Sequence, residues 1–209
     1  MVAEPQHQIT AQEYLAFERR AEEKHEFVEG IIYVMSGGTR EHGLVNANVV
    51  GELRDRLRSR PCEAYGGNVR VKVSETGAYV YPDVVVACGD IQFEDIESDT
   101  LLNPLVVIEV LSPTTEAYDR GKKAALYRQM PSLQHYVLVA QDRVSVEVFT
   151  RQGGQWGLTE ATRLAETVRL DAIDCDLPLA EVYAKVQFAE EGEATGGQDV
   201  TSPPSDTSA

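Results

Sequence analysis

The sequence lacks any apolar run approaching the roughly 18 residues that a membrane-spanning helix needs, so no such span is expected. Its first residues, MVAEPQHQIT, carry neither a basic region nor an apolar core, so no secretory leader is expected. Cysteine is scarce. The three, Cys62, Cys88 and Cys175, stand at wide, irregular spacings. An odd count without close pairs argues against a disulfide framework or a zinc site, and predicts buried, reduced thiols in a cytoplasmic protein. Positive charge is also in short supply: 19 Lys and Arg face 34 Asp and Glu, a net of −15. The last stretch, Ala189 to Ala209, holds five acids and no base, yet removing it still leaves about −10. A protein that grips nucleic acid mainly by neutralising phosphates shows a broad basic footprint, and this one does not. Its densest basic cluster is Arg54, Arg56, Arg58 and Arg60, interleaved with Glu52 and Asp55, which reads equally well as a solvated, internally paired helix face.

What is present suits one α/β or α+β domain, with a mixed central sheet flanked by helices, over residues 10–188. Residues 1–9 read as a flexible lead-in, and 189–209 as a disordered acidic tail. Thr10 to Glu13 fits a capping box opening an amphipathic helix to about Lys24. Phe27-Val28 and Ile31 to Met35 flank Glu29-Gly30 as a hairpin would. After the breaker Ser36 to Thr39, Val45, Val49, Leu53 and Leu57 recur every four residues, predicting a helix from about Glu41 to Ser59. Val69 to Val73 alternates as a half-buried strand. Tyr79 to Cys88 and Pro104 to Leu111 are nearly continuous apolar runs, expected of central strands covered on both faces. The stretch 89–103 reads as a loop. A helix over Asp119 to Met130 precedes strands at His135 to Ala140 and Val144 to Thr150, a β segment at Trp156, a strand at Thr167 to Leu170 and a short helix near Pro178 to Lys185.

Two carboxylates interrupt those apolar runs: Asp83, after Pro82, and Glu109. Burying a carboxylate is expensive unless a cation or strong hydrogen bonds compensate it. Two on neighbouring strands make an all-oxygen set of the kind Mg²⁺ takes. Pro82 removes a ladder hydrogen bond, so the strand is expected to bulge or break there and re-aim Asp83. Asp119, Lys123 and Tyr127 are spaced to share a helix face, where Asp119 and Lys123 could equally form an ordinary surface ion pair. His42 opens the second helix, and Glu29 reads as a turn residue.

These residues resemble the PD-(D/E)XK nuclease superfamily and, more closely, the Uma type of bacterial restriction-endonuclease-like proteins. The resemblance runs from about Thr10 to Val186 and rests on Lys24 to Gly30, Ser36-Gly37-Gly38 with His42, Tyr81 to Val84, Glu109 to Lys123, Tyr127 and Pro131 to Leu133. It implies a restriction-endonuclease-like fold and Mg²⁺-dependent (or Mn²⁺-dependent) hydrolysis of nucleic acid, DNA before RNA, with no membrane partner; a homodimer would let two sites cut a duplex together. The metal would be held by Asp83, Glu109 and the main-chain carbonyl of Val110. Where the superfamily pattern has lysine two residues beyond the glutamate, this chain has Leu111. The resemblance places the lysine on the following helix at Lys123, with Lys122 as rival, and sets His42 beside the site. Two other readings stay open: a non-catalytic binding or regulatory module, and a hydrolase of small phosphoesters.

Overall fold

The computed structural model describes residues 9–35, 37–73 and 76–188. The lead-in up to residue 8, Ser36 of the breaker and the acidic tail from 189 lie outside these residues. Helix α1 (Ala11–Glu18) opens on a full capping box: the Thr10 hydroxyl accepts from the Glu13 N–H at 3.2 Å, and the Glu13 carboxylate accepts from the Thr10 N–H at 2.8 Å. It stops at Glu18, short of the expected Lys24. The Glu18 carboxylate instead turns inward to accept from the His25 N–H and the Tyr81 hydroxyl, each at 3.0 Å, tying the helix end to the strand that follows.

Strands β1 (His25–Val28) and β2 (Ile31–Val34) pair as the expected hairpin. Its two turn residues, Glu29 and Gly30, both have positive φ, 55° and 81°, the conformation that fits the right-handed twist of the strands. Helix α2 (Arg40–Leu57) is capped by Thr39 and buries Val45, Val49, Leu53 and Leu57 as the four-residue period demands. Each such burial contributes about 1.5–3 kcal/mol.

Strand β3 (Cys62–Gly66) was not expected. It pairs antiparallel with β6 (Val84–Cys88) in a register that sets Cys62 opposite Cys88, and the two are joined in a disulfide. This overturns the expectation of three reduced thiols; Cys175 alone is free, and it is buried. Strands β4 (Arg70–Val73) and β5 (Ala78–Val80) follow, and the apolar run Tyr79 to Cys88 is divided at Tyr81-Pro82-Asp83. There the chain leaves one sheet and enters another. The first sheet has the order β2-β1-β5-β4-β7, in which the two-residue β7 (Thr100–Leu101) lies within the expected loop and pairs parallel to β4. The second has the order β11 (Gln155–Ala161), β10 (Val146–Gln152), β9 (His135–Ala140), β8 (Val106–Leu111), β6, β3.

The central strands of the second sheet are β8 (Val106–Leu111) and β9 (His135–Ala140), parallel neighbours buried at every position. A parallel pair needs a crossover. Here it consists of a single turn α3 (Glu116–Tyr118), a π-helical turn (Asp119–Lys123) and α4 (Ala124–Arg128), where a continuous helix had been expected. β10 (Val146–Gln152) and β11 (Gln155–Ala161) complete the sheet, and β12 (Thr167–Leu170), β13 (Cys175–Pro178) and α5 (Leu179–Val182) close the chain. One face of the six-stranded sheet packs Ile108 and Val110 against α2, α5 and β13. The other packs Val85, Val107 and Leu138 against the crossover helix and the first sheet. Among the described residues, no helix is long and apolar enough to cross a membrane.

Candidate functional site

Side chains alternate along a strand, so Glu109 shares the face of Val107 and Leu111, toward the crossover helix and the first sheet. The β6–β8 register, with Val84 opposite Ile108, continues one step to set Asp83 opposite Glu109. The two carboxylates thus meet where the chain changes sheets, at the break expected from the proline. Asp83 does not continue the ladder with its backbone alone: its Oδ2 accepts from the Val110 N–H at 2.7 Å, while its own N–H donates to Glu109 Oε2 at 3.3 Å.

The crossover helix delivers the cation. Lys123 Nζ lies 3.1 Å from Glu109 Oε1, 2.9 Å from Glu26 Oε1 and 3.7 Å from Asp119 Oδ1, with all four side chains buried. An ordinary surface pair between Asp119 and Lys123 is thereby excluded. Lys122, the rival, stays outside the buried cluster and pairs with exposed Glu29 at 2.9 Å. The π turn widens the helix at this point, a distortion common at functional sites. One turn on, the Tyr127 hydroxyl donates to Glu109 Oε1 at 2.8 Å. From α2, His42 Nε2 sits 3.1 Å from Asp83 Oδ1, and the Asn46 amide reaches the Asp83 carbonyl at 3.4 Å. A Cβ at Gly38 would meet the His42 ring at 2.7 Å, so a larger residue there would displace the ring. The remaining ring nitrogen, His42 Nδ1, is buried without a hydrogen-bond partner among the described residues.

The electrostatics follow from one buried ammonium facing several carboxylates. Burial pushes the Glu109 carboxyl well above its usual range; Lys123 opposes this, while Asp83, Asp119 and Glu26 add to it. Burial likewise raises Asp119. Burial alone would lower Lys123, but Glu109, Glu26 and Asp119 hold it above its usual value, so it stays charged. The hydrogen bond that the ring donates to Asp83 raises His42 against the effect of burial. The Tyr127 phenol is raised far above its usual range by burial and by Glu109, so it remains a donor.

A cavity of about 650 Å³ opens onto this cluster, lined by Asp83, Glu26, Asp119, Lys123 and His42 within and by Tyr33, Val34, Met35, Pro113 and Thr114 toward solvent. Among the described residues, no three His, Cys, Asp or Glu side chains converge as a ready metal cage. Mg²⁺ does not require one: it binds through one or two carboxylates and completes its shell with water and substrate oxygens. The donor set fits such an ion. Hard oxygens are present, and negative charge exceeds what Lys123 can balance.

Sequence reasoning singled out Asp83, Glu109, Lys123 and His42, and the fold brings all four together; Val110 joins them through its main-chain N–H. It missed Glu26. A carboxylate beside Phe27-Val28 was a signal of the same kind as Glu109, but a four-residue strand with charged neighbours concealed it. The arginine cluster lies elsewhere. Arg54 to Arg60 occupy the far end of α2 and beyond, about 18 Å or more along the helix from His42 at 1.5 Å per residue. Arg56 pairs with Glu52, Arg58 with Asp55, and Arg60 with Asp174.

The chain is 32% identical over 182 residues to the uncharacterized protein slr1290 of Synechocystis sp., covering 86% of this chain and 94% of that one. It is 35% identical over 153 residues to sll1609 of the same organism, covering 73% and 86%. Among solved structures it shares the fold of a protein from Anabaena variabilis described as a putative nuclease belonging to DUF820, with a TM-score of 0.69, 18% identity, and coverage of 84% of this chain and 97% of that one. Residues 11–180 match the family described as "Uma2: Putative restriction endonuclease", and the chain belongs to that family.

Proposed function

We propose that the protein is a metal-dependent endonuclease of the PD-(D/E)XK kind, hydrolysing phosphodiester bonds of nucleic acid, with DNA as the favoured substrate. The observation that carries this reading is the meeting of Asp83 and Glu109 at the sheet switch with buried Lys123 against Glu109. Asp83, Glu109 and the Val110 carbonyl would hold Mg²⁺ or Mn²⁺. When bound, the ion supplies Lewis acidity and a bound water of lowered pKa.

The remaining roles belong to the chain's own groups. His42 and the Val110 N–H each hold one oxygen of Asp83, fixing the carboxylate's orientation. Tyr127 holds Glu109 from the opposite side. Lys123, kept protonated by its three carboxylate neighbours, cannot serve as a base. It acts as a fixed positive charge that orients the attacking water and stabilises negative charge developing on the phosphate. Hydrolysis adds one water oxygen to phosphorus and breaks one P–O ester bond, leaving a phosphate monoester on one product and a hydroxyl on the other.

The test uses Asp83→Asn and Glu109→Gln, which keep side-chain shape, with DNA and RNA in single- and double-stranded form. Cleavage in Mg²⁺ or Mn²⁺ by the native chain, lost in both variants with folding intact, supports the reading. No cleavage of any form by the native chain would overturn it and favour the non-catalytic module. Turnover of a chromogenic phosphodiester but of no polymer would favour the small-phosphoester hydrolase.

A further inference from the structure

The cavity has two unlike parts. Its interior is ionic, whereas its mouth is apolar and aromatic: Tyr33, Val34 and Pro113 are exposed there, and Lys123, deep inside, is the one Lys or Arg among the lining residues. A site that grips intact duplex by its two backbones surrounds the scissile phosphate with cations. This mouth offers instead a flat aromatic ring. Tyr33 lies on β2, the edge strand of its sheet, with 38% of its surface exposed. The ring is steadied by Tyr118, whose ring centroid is 6.4 Å away, and Tyr118 in turn lies 5.8 Å from Lys123 Nζ. Two short steps therefore lead from the exposed ring to the buried ammonium. Lys122 stands 5.8 Å over the Tyr33 ring, held by Glu29, whose side chain is 71% exposed. Such an ion pair is weak, so this lysine is free to exchange its partner for a phosphate beside the ring.

We infer, resting on the reading of the site as a nuclease, that the cavity takes an unpaired nucleotide: a base stacks on Tyr33 while the adjoining phosphodiester enters toward Asp83, Glu109 and Lys123. Stacking on an aromatic ring is available only to a base that has left the helix, and it tolerates any base sequence. It also explains how a strongly acidic chain holds a polyanion. The base supplies binding that needs no cation, and only one or two phosphates must be accommodated.

The test measures binding of a short fluorescent oligothymidylate, its RNA counterpart and a blunt duplex to the full-length chain by fluorescence anisotropy, with Mg²⁺ and with chelator. The single strand is expected to bind about tenfold or more tighter than the duplex. Tyr33→Ala is expected to weaken single-strand binding about tenfold, and Tyr33→Phe to leave it within about twofold. Equal binding of the RNA strand supports the stack and extends the substrate to both sugars. The inference is overturned if duplex binds as tightly as single strand, or if Tyr33→Ala leaves binding unchanged. It is also overturned if the substitution acts by changing the sedimentation mass, which would make β2 an edge pairing two copies. Tyr33-dependent binding without cleavage in any divalent cation removes the nuclease reading and leaves the unpaired-nucleotide site. Cleavage of duplex that is indifferent to Tyr33 does the reverse.

Discussion

The two ends of α2 each carry a dense collection of charge, and they behave in opposite ways. At the carboxyl end, Arg54, Arg56 and Arg58 stand in solvent while Arg60 is half-buried, and Arg56, Arg58 and Arg60 are matched by nearby acids. At the amino end, His42 leans on a cluster in which Glu26, Glu109 and Asp119 are buried around a single lysine. Exposed charges that neighbours already balance do little, because water screens them. Buried charge left over after pairing is costly, and a fold retains it only where something else compensates it. The excess of buried carboxylate, rather than the accumulation of arginine, marks the candidate site.

The sharpest way to break this contrast is to remove the carboxylates. Asp83→Ala or Glu109→Ala is expected to lower divalent-dependent cleavage by roughly a thousandfold or more, since a bound ion provides several kcal/mol of charge stabilisation. Single-turnover cleavage assays measure this, with circular dichroism to verify the fold. Next in size, Lys123→Ala leaves buried carboxylates without their cation and is expected to destabilise the fold by about 3 kcal/mol. Lys122→Ala, one residue away, should change stability by less than about 0.5 kcal/mol. Urea denaturation of both variants makes the comparison, and similar losses would contradict the placement of the two lysines.

A smaller effect concerns pH. The Glu109 carboxyl is raised well above the ordinary value of 4.5, so its proton stays on in a range where an ordinary glutamate is ionised. In the ion-free protein this group contributes stability that is complete below the unfolded pKa and is lost as pH rises through the folded one. An incoming cation must displace that proton. Mg²⁺ affinity is therefore expected to rise with pH across the same window, with proton release visible by calorimetry in buffers of different ionisation enthalpy. Flat affinity from pH 5 to 8 would contradict it. The smallest effect belongs to the arginines: Arg54→Ala with Arg58→Ala should change single-strand binding by no more than about twofold. A large loss, together with a shallower salt dependence, would move the nucleic-acid interface to the far end of α2.

Much of this was legible in the residues because the strongest signals were local. The four-residue period of α2, the Glu29-Gly30 turn and the apolar runs of β6 and β8 declare their own conformation. Pro82 declared a break, and the break proved to be a change of sheet. What stayed hidden depended on distant partners. Cys62 and Cys88 meet only because β3 pairs with β6 in one register, and Cys62 to Gly66 has neither the alternation nor the apolar run that announces a strand. The end of α1 is set by His25 and Tyr81 reaching Glu18, which no helix propensity encodes. The π turn at Asp119 to Lys123 shifts the phase of the crossover helix, so the spacing of Asp119, Lys123 and Tyr127 identified the correct face only approximately.

The change of sheet at Tyr81-Pro82-Asp83 carries a thermodynamic consequence. Glu26 belongs to the first sheet, Glu109 to the second, and Asp83 sits on the joint between them. A partly folded chain with one sheet assembled lacks part of this buried charge cluster, so occupancy of the proposed ion site and global folding would be linked equilibria. Under the proposed reading, an ion at a hundred times its dissociation constant would add about 2.7 kcal/mol to the stability of the whole domain. Melting temperature in rising Mg²⁺ thus becomes a gauge of the site that requires no substrate.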